Sequence, residues 1–179
     1  MKPMISLLTM DINKKLIRII IQSTGLFFIV FTSLSCANNY MRPMHSFNNT
    51  LFNNSESYKE PDLGIEFLIA IGNRDGRDVI QMIEIRSRQR IPLPGINRSD
   101  SQPINLSISG NSEKIAFIRQ RSGETELMVY NRRNNSLRRL EIIPKGVPHN
   151  LSMDGLGRFL AVQISREGKW DIDIFKLED

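Results

Sequence analysis

The chain has 179 residues, 40% hydrophobic and 24% charged, enough for one ordinary globular domain with additional sequence beside it. Its formal charge of +5 is unevenly placed: Lys2, Lys14, Lys15 and Arg18 precede the sole cysteine against Asp11 alone, leaving about +2 for residues 37–179. A near-neutral remainder has no broad electrostatic footprint for nucleic acid, and a single cysteine excludes both an internal disulfide and a cysteine-cluster metal site.

Residues 1–36 have the three-part layout of an export signal. Lys14, Lys15 and Arg18 form a positive region, Ile19 to Val30 supply most of an apolar region, and Thr32, Ser33 and Ser35 follow as small or hydroxyl residues. The polar trio Gln22-Ser23-Thr24 interrupts the apolar run, which therefore falls short of the ~20 continuous apolar residues of a stable spanning helix. Met10 is an alternative start. The stretch Ser33-Leu34-Ser35-Cys36, followed by Ala37, resembles the end of a bacterial lipoprotein signal, with Ser33 where that family usually has Leu. The resemblance implies cleavage before Cys36 and lipid attachment to it; an uncleaved signal anchor is the other reading. Either one places the protein in a bacterial cell envelope, membrane-anchored and facing the periplasm.

Residues 37–60 are rich in Asn and Ser with no apolar periodicity, and read as a disordered polar tether. The Asn-x-Ser/Thr triplets that begin at Asn48 and recur along the chain follow from an Asn-rich composition.

From residue 61 the chain repeats itself. Shifting it by 45 residues superimposes the segment from Pro103 to Tyr130 on that from Pro148 to Phe175 without a gap. Asn105-Leu106-Ser107 meets Asn150-Leu151-Ser152, Ala116 meets Ala161, and Gly123 meets Gly168. An earlier copy fits at an offset of 47, so that an Arg-x-Gly turn occurs three times, at Arg74, Arg121 and Arg166. Each copy holds short β-rich runs bounded by Gly and polar residues, such as Lys114 to Gln120 followed by Thr125 to Asn131. In the run from Trp170 to Leu177, Ile172 and Ile174 alternate with Asp171 and Asp173, the period of a half-buried strand with the isoleucines inward. Pro92, Pro94 and Pro144 fall where edge strands close the units. The unit is a four-stranded antiparallel meander of the size of a propeller blade. The fold class is thus all-β, a partial β-propeller of about three blades over residues 61–100, 101–146 and 147–179, behind the signal helix and tether.

With those residues in view, the repeats resemble TolB-like β-propellers, whose blades carry a Ser-Pro-Asp-Gly box followed by a hydrophobic-Ala-Phe strand. Ser152-Met153-Asp154-Gly155 with Phe159-Leu160-Ala161-Val162 matches that box, as does Ser107-Ile108-Ser109-Gly110 with Ile115-Ala116-Phe117, the box proline being absent from both. The resemblance covers residues 61–179 and not the separate α/β domain through which TolB itself is implied to engage its partners.

Strand counting gives an incomplete first blade, a full second one and a third lacking its last strand. Propellers usually close with four to eight blades. Closure is therefore expected from self-association of two chains into a six-bladed ring, from an envelope protein partner, or from an added tether strand.

The search for chemistry finds little. His45 lies in the tether and His149 beside a turn, with no nucleophile motif, phosphate loop or metal-ligand spacing near either. The acidic group Asp171, Asp173, Glu178 and Asp179 reads as a solvated strand face and chain end. No enzyme activity and no cofactor are expected. If the blades stack radially, Arg74, Arg121 and Arg166 share one rim, a candidate partner-binding ring with Trp170 beside it; turn-stabilising arginines and a packing tryptophan are the structural alternative. The function expected is protein binding in the envelope, with an accessory or degenerate hydrolase domain, or a purely structural lipoprotein, as the competing classes.

Overall fold

A computed structural model describes residues 41–52 and 56–178. The signal segment, with Cys36, lies outside the described residues. The remainder is one helix, α1 (His45–Phe52), and eleven strands. The first sheet comprises β1 (Tyr58–Leu63), β2 (Phe67–Arg74), β3 (Arg77–Glu84) and β4 (Arg90–Ile91). The second comprises β5 (Gln102–Ile108), β6 (Lys114–Arg121), β7 (Glu124–Asn131) and β8 (Ser136–Leu140). The third has three strands, β9 (Val147–Met153), β10 (Phe159–Arg166) and β11 (Lys169–Lys176). Each sheet is an antiparallel meander in chain order, and the sheets stack face to face as a partial propeller.

The recurrent Arg-x-Gly signature is a hairpin requirement. The links β2–β3, β6–β7 and β10–β11 are two-residue turns in which both residues have positive φ: Asp75 and Gly76, Ser122 and Gly123, Glu167 and Gly168. A two-residue turn of that hand matches the twist of the strands it joins, and glycine takes its second position without steric cost. The arginines are the last strand residues before the turn, pairing with Arg77, Glu124 and Lys169 across the hairpin.

Two apolar layers hold the stack. Ile69, Ile71, Ile80 and Met82 of the first sheet meet Leu106, Ile115, Phe117, Met128 and Tyr130 of the second. The opposite face of the second sheet, with Ala116, Ile118, Leu127 and Val129, receives Leu160, Val162 and Ile164 of the third. At roughly 1.5–3 kcal/mol for each fully buried large side chain, these layers dominate the stability. The innermost strands are joined by polar contacts of the same period. The Asp62 carboxylate accepts from Ser107 Oγ and the Ile108 amide, both at 2.8 Å, and Ser107 Oγ accepts from the Met153 amide at 3.1 Å. A Cβ at Gly110 would stand 2.9 Å from the Gly155 carbonyl oxygen, so the second and third blades approach by backbone there.

Three features depart from the sequence reading. The first blade is complete, because the strand Tyr58–Leu63 begins inside the expected tether. The tether also contains α1, whose Phe47 is buried against Leu68 and Ile83 on the outer face of the first sheet, with Leu51 beside it. Finally, Ile172 and Ile174 face outward, each 64% exposed, while Phe175 on the other side of β11 packs against the core.

Acid sensitivity follows from the paired carboxylates. Asp78 is held below the usual carboxylate range by hydrogen bonds from Lys59 and Asn73, and Asp173 by its hydrogen bond from Arg166. A depressed folded pKa contributes stability that is complete above the unfolded value, near 4, and is lost as pH falls through the folded value. The urea midpoint is therefore expected to be flat from neutrality down to about pH 5 and to decline below about pH 4. Asp78→Asn/Asp173→Asn should decline less steeply below about pH 4 than wild type, the remaining decline coming from Asp100, Glu56 and Asp154, which are held down as well; an equally steep decline in the variant would contradict the assignment.

Candidate interaction surface

The repeat makes positions in the three sheets directly comparable. Ile69, Ala116 and Ala161 correspond, as do Ile71, Ile118 and Gln163, then Ile80, Leu127 and Ile172, and finally Met82, Val129 and Ile174. In the first two sheets all four positions are buried, because the next sheet packs on them. In the third sheet no further sheet covers them among the described residues. The face that elsewhere receives a blade is open.

That surface extends beyond the two isoleucines. Phe159 and Trp170 are 44% and 59% exposed, and Val147 is also exposed. Cross-strand pairing sets Trp170 opposite Ser165, which in turn faces Val147, and sets Ile174 opposite Ala161. The Trp170 indole meets the His149 ring edge-on at a centroid distance of 4.6 Å. His149 itself sits in β9, not in a loop, at an irregularity of the β9–β10 pairing. Small residues between large exposed ones make a shallow apolar surface with no carboxylate at its centre, the composition of a protein contact. Sequence reasoning singled out Trp170 here but missed Phe159, Ile172 and Ile174. The signal that finds them is their alignment with buried positions of the earlier repeats.

The other exposed edge of the third sheet adds to this. In the first two sheets the third strand pairs outward with a fourth, β3 with β4 and β7 with β8. β11 has no such neighbour among the described residues, so one row of its backbone donors and acceptors is unpaired within the sheet.

The rim arginines differ chemically. Arg74 is exposed and 3.9 Å from Asp75. Arg121 pairs with Asp100 at 2.9 Å, and that carboxyl, hydrogen-bonded by Arg98 and near Arg121, is pushed down to about 2. Arg166 is largely buried; its Nε donates to the Pro144 carbonyl at 3.1 Å and its guanidinium binds Asp173 and Asp171. Two of the three charges are thus engaged within the fold. A polar depression of about 620 Å³ lies beside the first two turns, lined by Asn73, Arg77, Asp78, Asp100, Gln102 and Gln120. Its carboxylates are tied down as well, Asp78 by Lys59, Asn73 and Gln102, and Asp100 by the two arginines.

Among the described residues no group of three or more His, Cys, Asp or Glu could hold a metal ion. No helix among them is long and apolar enough to cross a membrane. Around α1, the outer face of the first sheet is already occupied by Phe47, so a ring closed through that face by a second copy requires the helix to leave.

Comparison with known proteins yields fold similarity only. No protein-family model matches the chain, and no curated protein sequence does. Among solved structures, TolB from Acinetobacter baumannii superposes with a TM-score of 0.52 at 15% identity, over 65% of this chain and 29% of that one. The structure of putative TolB from Agrobacterium tumefaciens gives 0.50 at 13% identity, over 69% and 46% respectively. The chain spans less than half the length of either.

Proposed function

Starting from a TolB-like propeller fold, we propose that this protein is an exported, membrane-tethered binding module of the bacterial cell envelope, and that it holds a protein partner on the open face of its third blade. The observation that carries this reading is the exposure of Ile172 and Ile174, at positions that both earlier blades bury under a neighbouring sheet. An apolar face of this kind, centred on an aromatic anchor at Trp170, supplies the desolvated core of an interface. The charged N-terminal segment with Cys36 supplies the tether and keeps the module at the membrane.

The test is affinity capture of the full-length protein from detergent-solubilised envelope. Ile172→Asp/Ile174→Asp changes two exposed side chains, so it should leave the thermal midpoint nearly unchanged while recovery of a stoichiometric partner falls by about ten-fold or more. Cys36→Ser should move the protein out of the membrane fraction. Equal recovery of the same partner by the double variant, or capture of no partner by wild type, contradicts the binding reading.

A further inference from the structure

Deepening the binding reading above, we propose that β11 takes up an extended segment of the partner as a fourth, antiparallel strand, and that this segment carries a basic residue flanked by apolar ones. The register comes from the second blade. There β8 pairs with β7 from Leu127↔Leu140 to Asn131↔Ser136, and the corresponding β11 positions run from Ile172 to Lys176. The chemistry comes from the same comparison. Leu137 packs into the core opposite Tyr130, Leu140 does so opposite Leu127, and Arg139 reaches Glu126 at 3.2 Å.

In the third blade those roles fall opposite Phe175, Ile172 and Asp173. Phe175 is half-buried and Ile172 is open, so apolar residues fit across from both. Asp171, which corresponds to Glu126, shares a single guanidinium with Asp173 and remains about half exposed. Asp171 thus keeps an accessible carboxylate beside the edge. An incoming Lys or Arg opposite Asp173 meets that charge as Arg139 meets Glu126. Backbone pairing along the strand supplies affinity, while the alternating side chains and this charge set the sequence selected.

The probe is a synthetic peptide with the sequence of Asn135 to Ile142, labelled for fluorescence anisotropy and added to the full-length protein. The expected result is saturable binding with slowed amide exchange confined to residues 169–176. Methylating the peptide's backbone nitrogens on the pairing side should weaken binding by about ten-fold, because it removes hydrogen bonds and leaves the side chains in place. Replacing the arginine that corresponds to Arg139 with Glu should weaken it several-fold and render the residual binding less sensitive to salt. Binding indifferent to N-methylation, protection mapped elsewhere, or no binding up to about 1 mM overturns strand addition. These results are separable from failure of the binding module itself: a partner captured through the apolar face while the peptide stays free leaves that reading standing and removes only this one.

Discussion

Phe117→Ala is expected to destabilise the protein by about 3–5 kcal/mol, a large fraction of a domain's stability. The ring is 1% exposed and sits in the layer between the first and second sheets, among Ile71, Ile80, Met128 and other apolar side chains. Truncating it removes the transfer term and leaves a cavity that two hydrogen-bonded sheets cannot collapse to fill. Ile172→Ala provides the internal contrast. It deletes a smaller apolar group, from a side chain 64% exposed, and should cost well under about 1 kcal/mol. Urea denaturation of both variants decides the matter: comparable losses would mean that the stacking of the sheets, or the openness of the third face, has been misread.

The second large effect concerns a buried ion pair at the same layer. Arg119 Nε donates to Glu126 Oε2 at 2.7 Å, with both side chains nearly inaccessible, and Arg139 approaches the other carboxylate oxygen at 3.2 Å. Arg119 Nη1 is buried without a hydrogen-bond acceptor, so the pair is imperfectly satisfied. Arg119→Met strips Glu126 of its buried partner and leaves only the half-exposed Arg139, at an expected cost of about 3 kcal/mol. Arg119→Met/Glu126→Leu removes both charges together and should recover most of that loss, because desolvation of the ions disappears with them. A double variant no more stable than the single one would show that the site requires charge, not merely volume.

Much of the fold was legible because its grammar is local. The turns at Gly76, Gly123 and Gly168 need positive φ at fixed places, and that need writes the same letters three times. The strands between them announce themselves by β-branched and apolar runs. β1 was harder to read. Half of its sequence, Tyr58 to Leu63, is charged, it contains Pro61, and its pairing is irregular between Lys59 and Asp62, as befits an edge strand. Helix α1 was harder still, because Asn48, Asn49 and Thr50 dilute the apolar pattern and only Phe47 and Leu51, one turn apart, anchor it.

The candidate surface escaped for a different reason. Alternation along β11 separates two faces, but nothing local says which of them meets a neighbour. Ile172 and Ile174 looked like core, and Asp171 and Asp173 like solvent. In the structure, Asp173 turns inward because Arg166 binds it there, and the isoleucines turn outward. The ring of basic turns was legible as a spacing but not as a surface, since the pairing of Arg121 with Asp100 and of Arg166 with Asp173 depends on residues distant from the motif or on the opposite strand.

The most direct measurement is in-cell photo-crosslinking from position 172, with position 133 as the control on an exposed hairpin away from the open face. The expected result is a single adduct of one partner protein at 172, absent at 133, that disappears when Trp170 is replaced by Ala. Adducts of the same pattern at both positions, or none at 172 while the protein is correctly folded and located, would contradict the assignment of the third blade as the binding surface.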